Sequence, residues 1–225
     1  MSSTPEPSTT SSHGILFKDR LVRALLRERE PKTQTRRIVS AKHQRFIPQG
    51  GVVSAIQEDS PYGGPGDELW VREAWRPTPT GIKFRSDEPV TTIPRGGRPP
   101  WKPGIHLRQV DARIRLRIKE VRMERVATIT PTDAVAEGIE PIDGGWLGAH
   151  GVNYGRPITA FASLWDSIHG VPRAVFGADG KISHYVARPF DFQAGDYQTT
   201  IRGGKELRIE PNPWTWAITF ERILP

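Results

Sequence analysis

Ala112-Arg113-Ile114-Arg115-Leu116-Arg117-Ile118-Lys119-Glu120-Val121 alternates apolar and charged side chains along most of its length. A period of two marks a strand with one buried face. Ile114, Leu116 and Ile118 point one way; Arg113, Arg115, Arg117 and Lys119 point the other. Such a strand needs neighbours to pair with and an apolar layer over its inner face. Its four cations have two readings of equal weight, a solvated strand face or a track for a phosphate backbone with aromatic rings nearby for base stacking.

Working outward, Pro61 to Gly66 form a turn feeding a strand in which Leu69 and Val71 alternate with Trp70 and Arg72. Thr33 to Val39 is rich in β-branched residues and reads as extended, and Trp214, Trp216, Ile218 and Phe220 share one face of a closing strand after Pro213. Three helices are expected. The first, over 20–29, is capped by Asp19, carries Leu21, Val22, Leu25 and Leu26, and is ended by Pro31. The second, over 131–137, opens on Thr130-Pro131-Thr132-Asp133 and stops at Gly138. The third, over 157–169, carries Phe161, Leu164, Trp165 and Ile168 and ends at Gly170. Residues 1–13 read as a disordered tail and 40–60 as a loop with weak strand content. Residues 76–104 and 171–210 read as loop insertions, the second with hairpin signals at Ala178-Asp179-Gly180 and Arg202-Gly203-Gly204. The sum is an α+β domain over 14–225, a small mixed barrel of about five or six short strands flanked by helices.

At 225 residues, 36% of them hydrophobic, the chain fits one elaborated domain with a sizeable core. It has no cysteine, so disulfides and thiolate metal sites are excluded. No apolar run approaches the ~20 residues that span a bilayer, and Met1 to His13 lack the pattern of a secretory signal. The expectation is a cytoplasmic protein. A net charge of +7 favours phosphate-bearing partners, although solubility alone would explain it as well. The six histidines have no metal-ligand spacing, Gly63-Gly64-Pro65-Gly66 lacks the Gly-Lys-Ser/Thr of a phosphate loop, and no Gly-x-Ser-x-Gly elbow occurs. No metal and no cofactor are expected.

Two polar patches carry candidate chemistry. In Pro31-Lys32-Thr33-Gln34-Thr35-Arg36-Arg37, Lys32 and Thr35 form a base and hydroxyl pair if burial lowers the lysine pKa. A regular strand would put them on opposite faces, so the pairing needs an irregular start at Pro31. The plainer reading is a solvated basic strand end. Glu137 sits in the last turn of its helix, where the dipole is mildly unfavourable to a carboxylate. It is either a surface residue or a general base and charge partner.

Six blocks occur in order: Lys32 to Arg37; Pro65-Gly66-Asp67-Glu68-Leu69-Trp70-Val71-Arg72-Glu73; Ile105-His106; Asp133-Ala134-Val135-Ala136-Glu137-Gly138-Ile139; Leu164-Trp165-Asp166-Ser167-Ile168; and Asn212-Pro213-Trp214-Thr215-Trp216. Together they resemble the bacteriophage and prophage ASCH-domain proteins, over roughly residues 14–170 and 211–223. That group has a PUA-like barrel, and its relatives include small bacterial N4-acetylcytidine amidohydrolases. The resemblance implies catalysis by Lys32, Thr35 and Glu137, with Thr35 as nucleophile or donor and Lys32 and Glu137 handling protons and charge. It also puts forward Arg37, Trp70, Arg72, Glu73 and His106 as contacts to substrate or nucleic acid, beside the Arg113, Arg115, Arg117 and Lys119 face. The chain departs from the pattern at Glu30-Pro31, where Gly-Arg is usual, and at Leu107 to Val110, where Met-Pro-Arg-Trp is usual. Three functions follow as expectations: an amidohydrolase acting on N4-acylated cytosine in a nucleoside or nucleic acid; a PUA-like module that binds RNA or a modified base without turnover; and a phage assembly or host-interaction protein. The expected partner is a nucleoside or nucleic acid, RNA rather than duplex DNA, in the cytoplasm (the host's, if phage-encoded).

Overall fold

A computed structural model describes residues 10–44, 60–89, 100–191 and 198–224. The chain is α+β, with strands in several sheets and few helices. The first elements are β1 (Ser12–Leu16), α1 (Asp19–Leu25), β2 (Gln34–Ile38), α2 (Ala41–Gln44) and β3 (Glu68–Arg72). The hairpin of β4 (Trp75–Thr78) and β5 (Gly81–Phe84) and the long β6 (Arg115–Arg125) come next. Then follow α3 (Pro131–Ala136), a small sheet of β7 (Glu140–Ile142), β8 (Gly145–Leu147) and β9 (Asn153–Tyr154), and α4 (Pro157–Trp165). Strands β10 (Arg173–Phe176), β11 (Ile182–Ala187), β12 (Gln198–Arg202) and β13 (Lys205–Ile209) precede the closing β14 (Trp214–Ile223).

The main sheet has the order β1-β3-β6-β14-β2, parallel only between β1 and β3. Leu116 and Ile118 of β6 are buried, as their alternation requires. The strand then continues past that pattern. Phe220 of β14 faces Ile118 while Thr219 faces Glu120, so Lys119 is an extra residue in the ladder. This bulge resets the phase, and Val121 and Met123 are the next residues buried. The core cluster over this sheet joins Ile15, Phe17, Val22, Leu25, Leu69, Val71, Trp216 and Phe220 to the inner face of β6. A second cluster, with Val126, Ile129, Ala134, Ile139, Phe161 and Trp165, packs α3 against α4.

Several expectations need correction. The sheet is open rather than closed into a barrel, since its edge strands β1 and β2 share no ladder. Next to β2, Thr33 N–H is taken by Ala136 O at the end of α3, and the Arg37 side chain, not backbone, reaches Leu16 O of β1 at 2.6 Å. The tail read over 1–13 does not hold at its end, where Ser12 and His13 pair with Glu68 and Leu69; residues 1–9 lie outside the described residues. Polar side chains do not prevent this, because the ladder is made by backbone. Helix α1 ends at Leu25, well before Pro31, and Lys18 rather than Asp19 is its N-cap; Asp19 pairs with Arg85 at 3.1 Å. Of the loop expected over 40–60, Ala41–Gln44 form the short helix α2, and 45–59 lie outside the described residues. The stretch 171–210 is no loop but mostly a four-stranded sheet, β10-β11-β13-β12, whose turns use positive φ at Gly180, Gly203 and Gly204. Within 76–104 the β4–β5 hairpin is ordered around Gly81 (φ +134) and pairs Trp75 with Lys102; 90–99 lie outside the described residues. No described helix is long and apolar enough to cross a membrane.

Candidate active site

Lys32 and Glu137, 105 residues apart, meet beside the N-terminal end of β2. Helix α3 is built to end there. Thr130 caps it by accepting from Asp133 N–H, Asp133 reciprocates toward the Thr130 backbone, and Pro131 occupies the first turn. Gly138 follows with φ +96, which only glycine adopts readily. A Cβ at Gly138 would stand 2.8 Å from Ala24 Cβ and 3.4 Å from Lys32, so the helix end also needs glycine to approach α1. The Lys32 N–H bonds Ala24 O at 2.9 Å, outside any strand, and β2 begins only at Gln34. This is the irregular start that Pro31 was expected to supply.

The Lys32 side chain is fully enclosed. Its ammonium donates to Glu137 Oε2 at 2.9 Å, to Glu137 O at 2.7 Å and to Gln34 O. Three donors meet three acceptors, so the buried cation is satisfied. Burial pushes the Lys32 pKa down to about 8, with Glu137 opposing the shift. The other oxygen of Glu137 accepts from Arg36 Nη1 at 3.2 Å. Arg36 also meets Glu124, and Asp133 Oδ2 at 3.3 Å, and it was not among the residues singled out from the sequence. Its only sequence signal is strand alternation, which sets Arg36 on the same face as Gln34.

Glu137, Thr35, Arg36 and Arg37 line a cavity of about 240 Å³. Leu16, Leu21, Phe161, Leu164, Trp165 and Ile168 supply its apolar wall, and Lys18, His169 and Arg173 complete it. Thr35 is buried, and no hydrogen bond of its hydroxyl occurs among the described residues. His169 lies in a single π-type turn, Asp166–Gly170, that extends α4, and its ring lies 4.3 Å from that of Trp165. Burial first, and then the charges of Arg173, Arg37, Lys18 and Arg188, push the His169 pKa down to about 4, so the imidazole is neutral at pH 7. Its i, i+4 relation to Trp165 is the signal that could have found it. Burial also lowers the Arg37 pKa.

Lys32 does not reach the cavity wall; it stands behind Glu137. The remaining residues singled out from the sequence lie elsewhere. Trp70 is buried under the Arg72 guanidinium, 4.7 Å from its ring. Glu73 is fully buried, accepting from Arg113 at 2.9 and 3.0 Å and from Ser86 at 2.6 Å, and is thus closed to a ligand. His106 borders a separate open hollow with Trp75, Ile82, Lys102, Arg108 and Asp111. On the basic strand face, Arg113 pairs with Glu73 and Asp87, Arg115 and Arg117 approach Glu68 at 4.0 and 3.6 Å, and Lys119 pairs with Glu221 at 3.1 Å. Among the described residues, no three His, Asp or Glu side chains form a metal-ligand cluster. Comparison with protein-family models, with curated proteins and with solved structures finds no match to this chain.

Proposed function

We propose that this chain is an ASCH-type amidohydrolase that removes an acyl group from N4 of cytosine. The observation that carries the reading is the pairing of Lys32 with Glu137, which lines a cavity together with Thr35. Two of the about four lone-pair sites of the Glu137 carboxylate are occupied by Lys32 and Arg36, and the rest are open to a substrate or a water. Glu137 takes a proton from water as the water oxygen bonds to the acyl carbon. Collapse of the tetrahedral intermediate breaks the C–N4 bond, and Glu137 returns the proton to N4. The products are the free 4-amino base and a carboxylic acid that ionises in solution. Thr35 lines the same cavity, and its hydroxyl donates to the carbonyl oxygen or orients the water. Lys32 is a positioning residue: its three donors are engaged, so it acts by holding Glu137.

The test is incubation of the purified protein with N4-acetylcytidine, with products separated by chromatography. Deacylation that Glu137→Gln abolishes supports the reading; no turnover by the folded wild type contradicts it. One observation favours a second reading. Lys32 and Arg36 already grip both oxygens of Glu137, which suits a fixed acceptor for a base amino group, and a site that binds without turnover. Cytidine binding without deacylation would select it.

A further inference from the structure

We propose that the cavity takes a nucleotide rather than a neutral nucleoside, its phosphate held at the mouth by Lys18, Arg37 and Arg173. This rests on the reading of the cavity as a base site. The three cations come from separate parts of the fold: the N-cap of α1, strand β2 and the first residue of β10. All three line the cavity, with Lys18 and Arg173 exposed. None of them forms a salt bridge among the described residues. Two are oriented by backbone oxygens, which aim a guanidinium without cancelling its charge. Arg37 Nη2 donates to Leu16 O at 2.6 Å, and Arg173 Nη2 donates to Ile168 O at 2.8 Å. Arg37 Nε is buried with no hydrogen-bond partner. The one acid of the lining, Glu137, is already held by Lys32 and Arg36.

The same charges bear on His169, whose proton is disfavoured first by burial and then by Arg173, Arg37 and Lys18. A phosphate dianion is the ligand chemistry that such a mouth recognises, through charge-assisted hydrogen bonds. The volume limits the rest of the ligand. About 240 Å³ is below the ~300–1,000 Å³ of drug-sized sites, so the cavity suits one base with its sugar and phosphate outside.

Calorimetric titration of the full chain with cytidine, cytidine 5′-monophosphate, ribose 5-phosphate and tetracytidylate separates the claims, since none of these is deacylated. The monophosphate is expected to bind about tenfold or more tighter than cytidine at low salt. That preference should shrink with salt and vanish in Lys18→Ala/Arg173→Ala, whose fold is checked by circular dichroism. Tetracytidylate binding tighter than the monophosphate makes a strand the source of the phosphate; equal or weaker binding makes it a free nucleotide. Equal affinity for cytidine and its monophosphate overturns the phosphate site and leaves the base site standing. Ribose 5-phosphate binding without any cytidine binding keeps the phosphate site and overturns the base site. A preference that survives in the double variant overturns the assignment to these residues.

Discussion

Two groups of cations on this chain differ both in how the sequence displays them and in what the fold does with them. Arg113, Arg115, Arg117 and Lys119, around the start of β6, each face a carboxylate brought by another part of the chain: Glu73, Asp87, Glu68 or Glu221. Lys18, Arg37 and Arg173 converge on a cavity and meet no salt-bridge partner among the described residues. The regular stripe of charge advertises itself in the sequence yet is largely cancelled. The scattered trio forms no pattern in the sequence, where only Arg37 was put forward, and it keeps its field. For a basic chain, what matters is where the positive charge is left uncompensated, rather than where it is densest.

The comparison breaks first at the buried pair behind the cavity. Lys32→Met removes one partner of a nearly enclosed carboxylate, and breaking such a pair costs about 3–5 kcal/mol. Urea unfolding should show that loss, and Lys32→Met/Glu137→Gln should recover part of it. A loss below that range would mean that Arg36 alone holds Glu137.

The next effect is in pH. Deacylation should fall as pH rises through about 8, where Lys32 loses its proton and its hold on Glu137. Stability carries the opposite sign. The folded pKa lies below the usual 10.5, so the unfolded chain binds more protons between the two values, and the Lys32 contribution to stability rises with pH there. A rate flat to pH 10 would contradict the positioning role.

His169 gives a smaller effect in acid. Its folded pKa, about 4, is also below the usual 6.5, so its contribution to stability is full above 6.5 and is lost as pH falls toward 4. Unfolding midpoints measured across that window should slope less in His169→Phe. The imidazole resonance should titrate near 4 in the free protein, and move upward when inorganic phosphate is added if the mouth binds it.

The smallest effect belongs to the strand face. Arg117→Ala should change stability by no more than about 1 kcal/mol, because its partner lies at 3.6 Å and both side chains are solvated. Arg115→Ala/Arg117→Ala should leave affinity for cytidine 5′-monophosphate unchanged in the same titration.

The stretch from Ile114 through the first half of β6 was legible because one of its faces is buried, which writes a period of two into Ile114, Leu116 and Ile118. Past Lys119 the bulge breaks that period, so the strand is longer than its pattern. The sheet within 171–210 was read as loop for a related reason. Phe176 and Ile201 are exposed and much of that sheet is only half-buried, leaving little periodicity to read. Helix α3 was legible to within one residue, ending at Ala136 rather than Glu137, since Thr130, Pro131, Asp133 and Gly138 are local signals. The meeting of Glu137 with Lys32 was not local, and was expected only from the family resemblance that the six blocks carry. Arg36 and His169 were missed because their partners are supplied by distant segments: Glu124, Asp133 and Glu137 for one, Lys18 and Arg37 for the other.

The most direct measurement is a crystal structure of the chain with cytidine 5′-monophosphate. The expected result is phosphate density between Lys18, Arg37 and Arg173 with the base turned toward Glu137. Phosphate on Arg115 and Arg117, with the cavity empty, would contradict it.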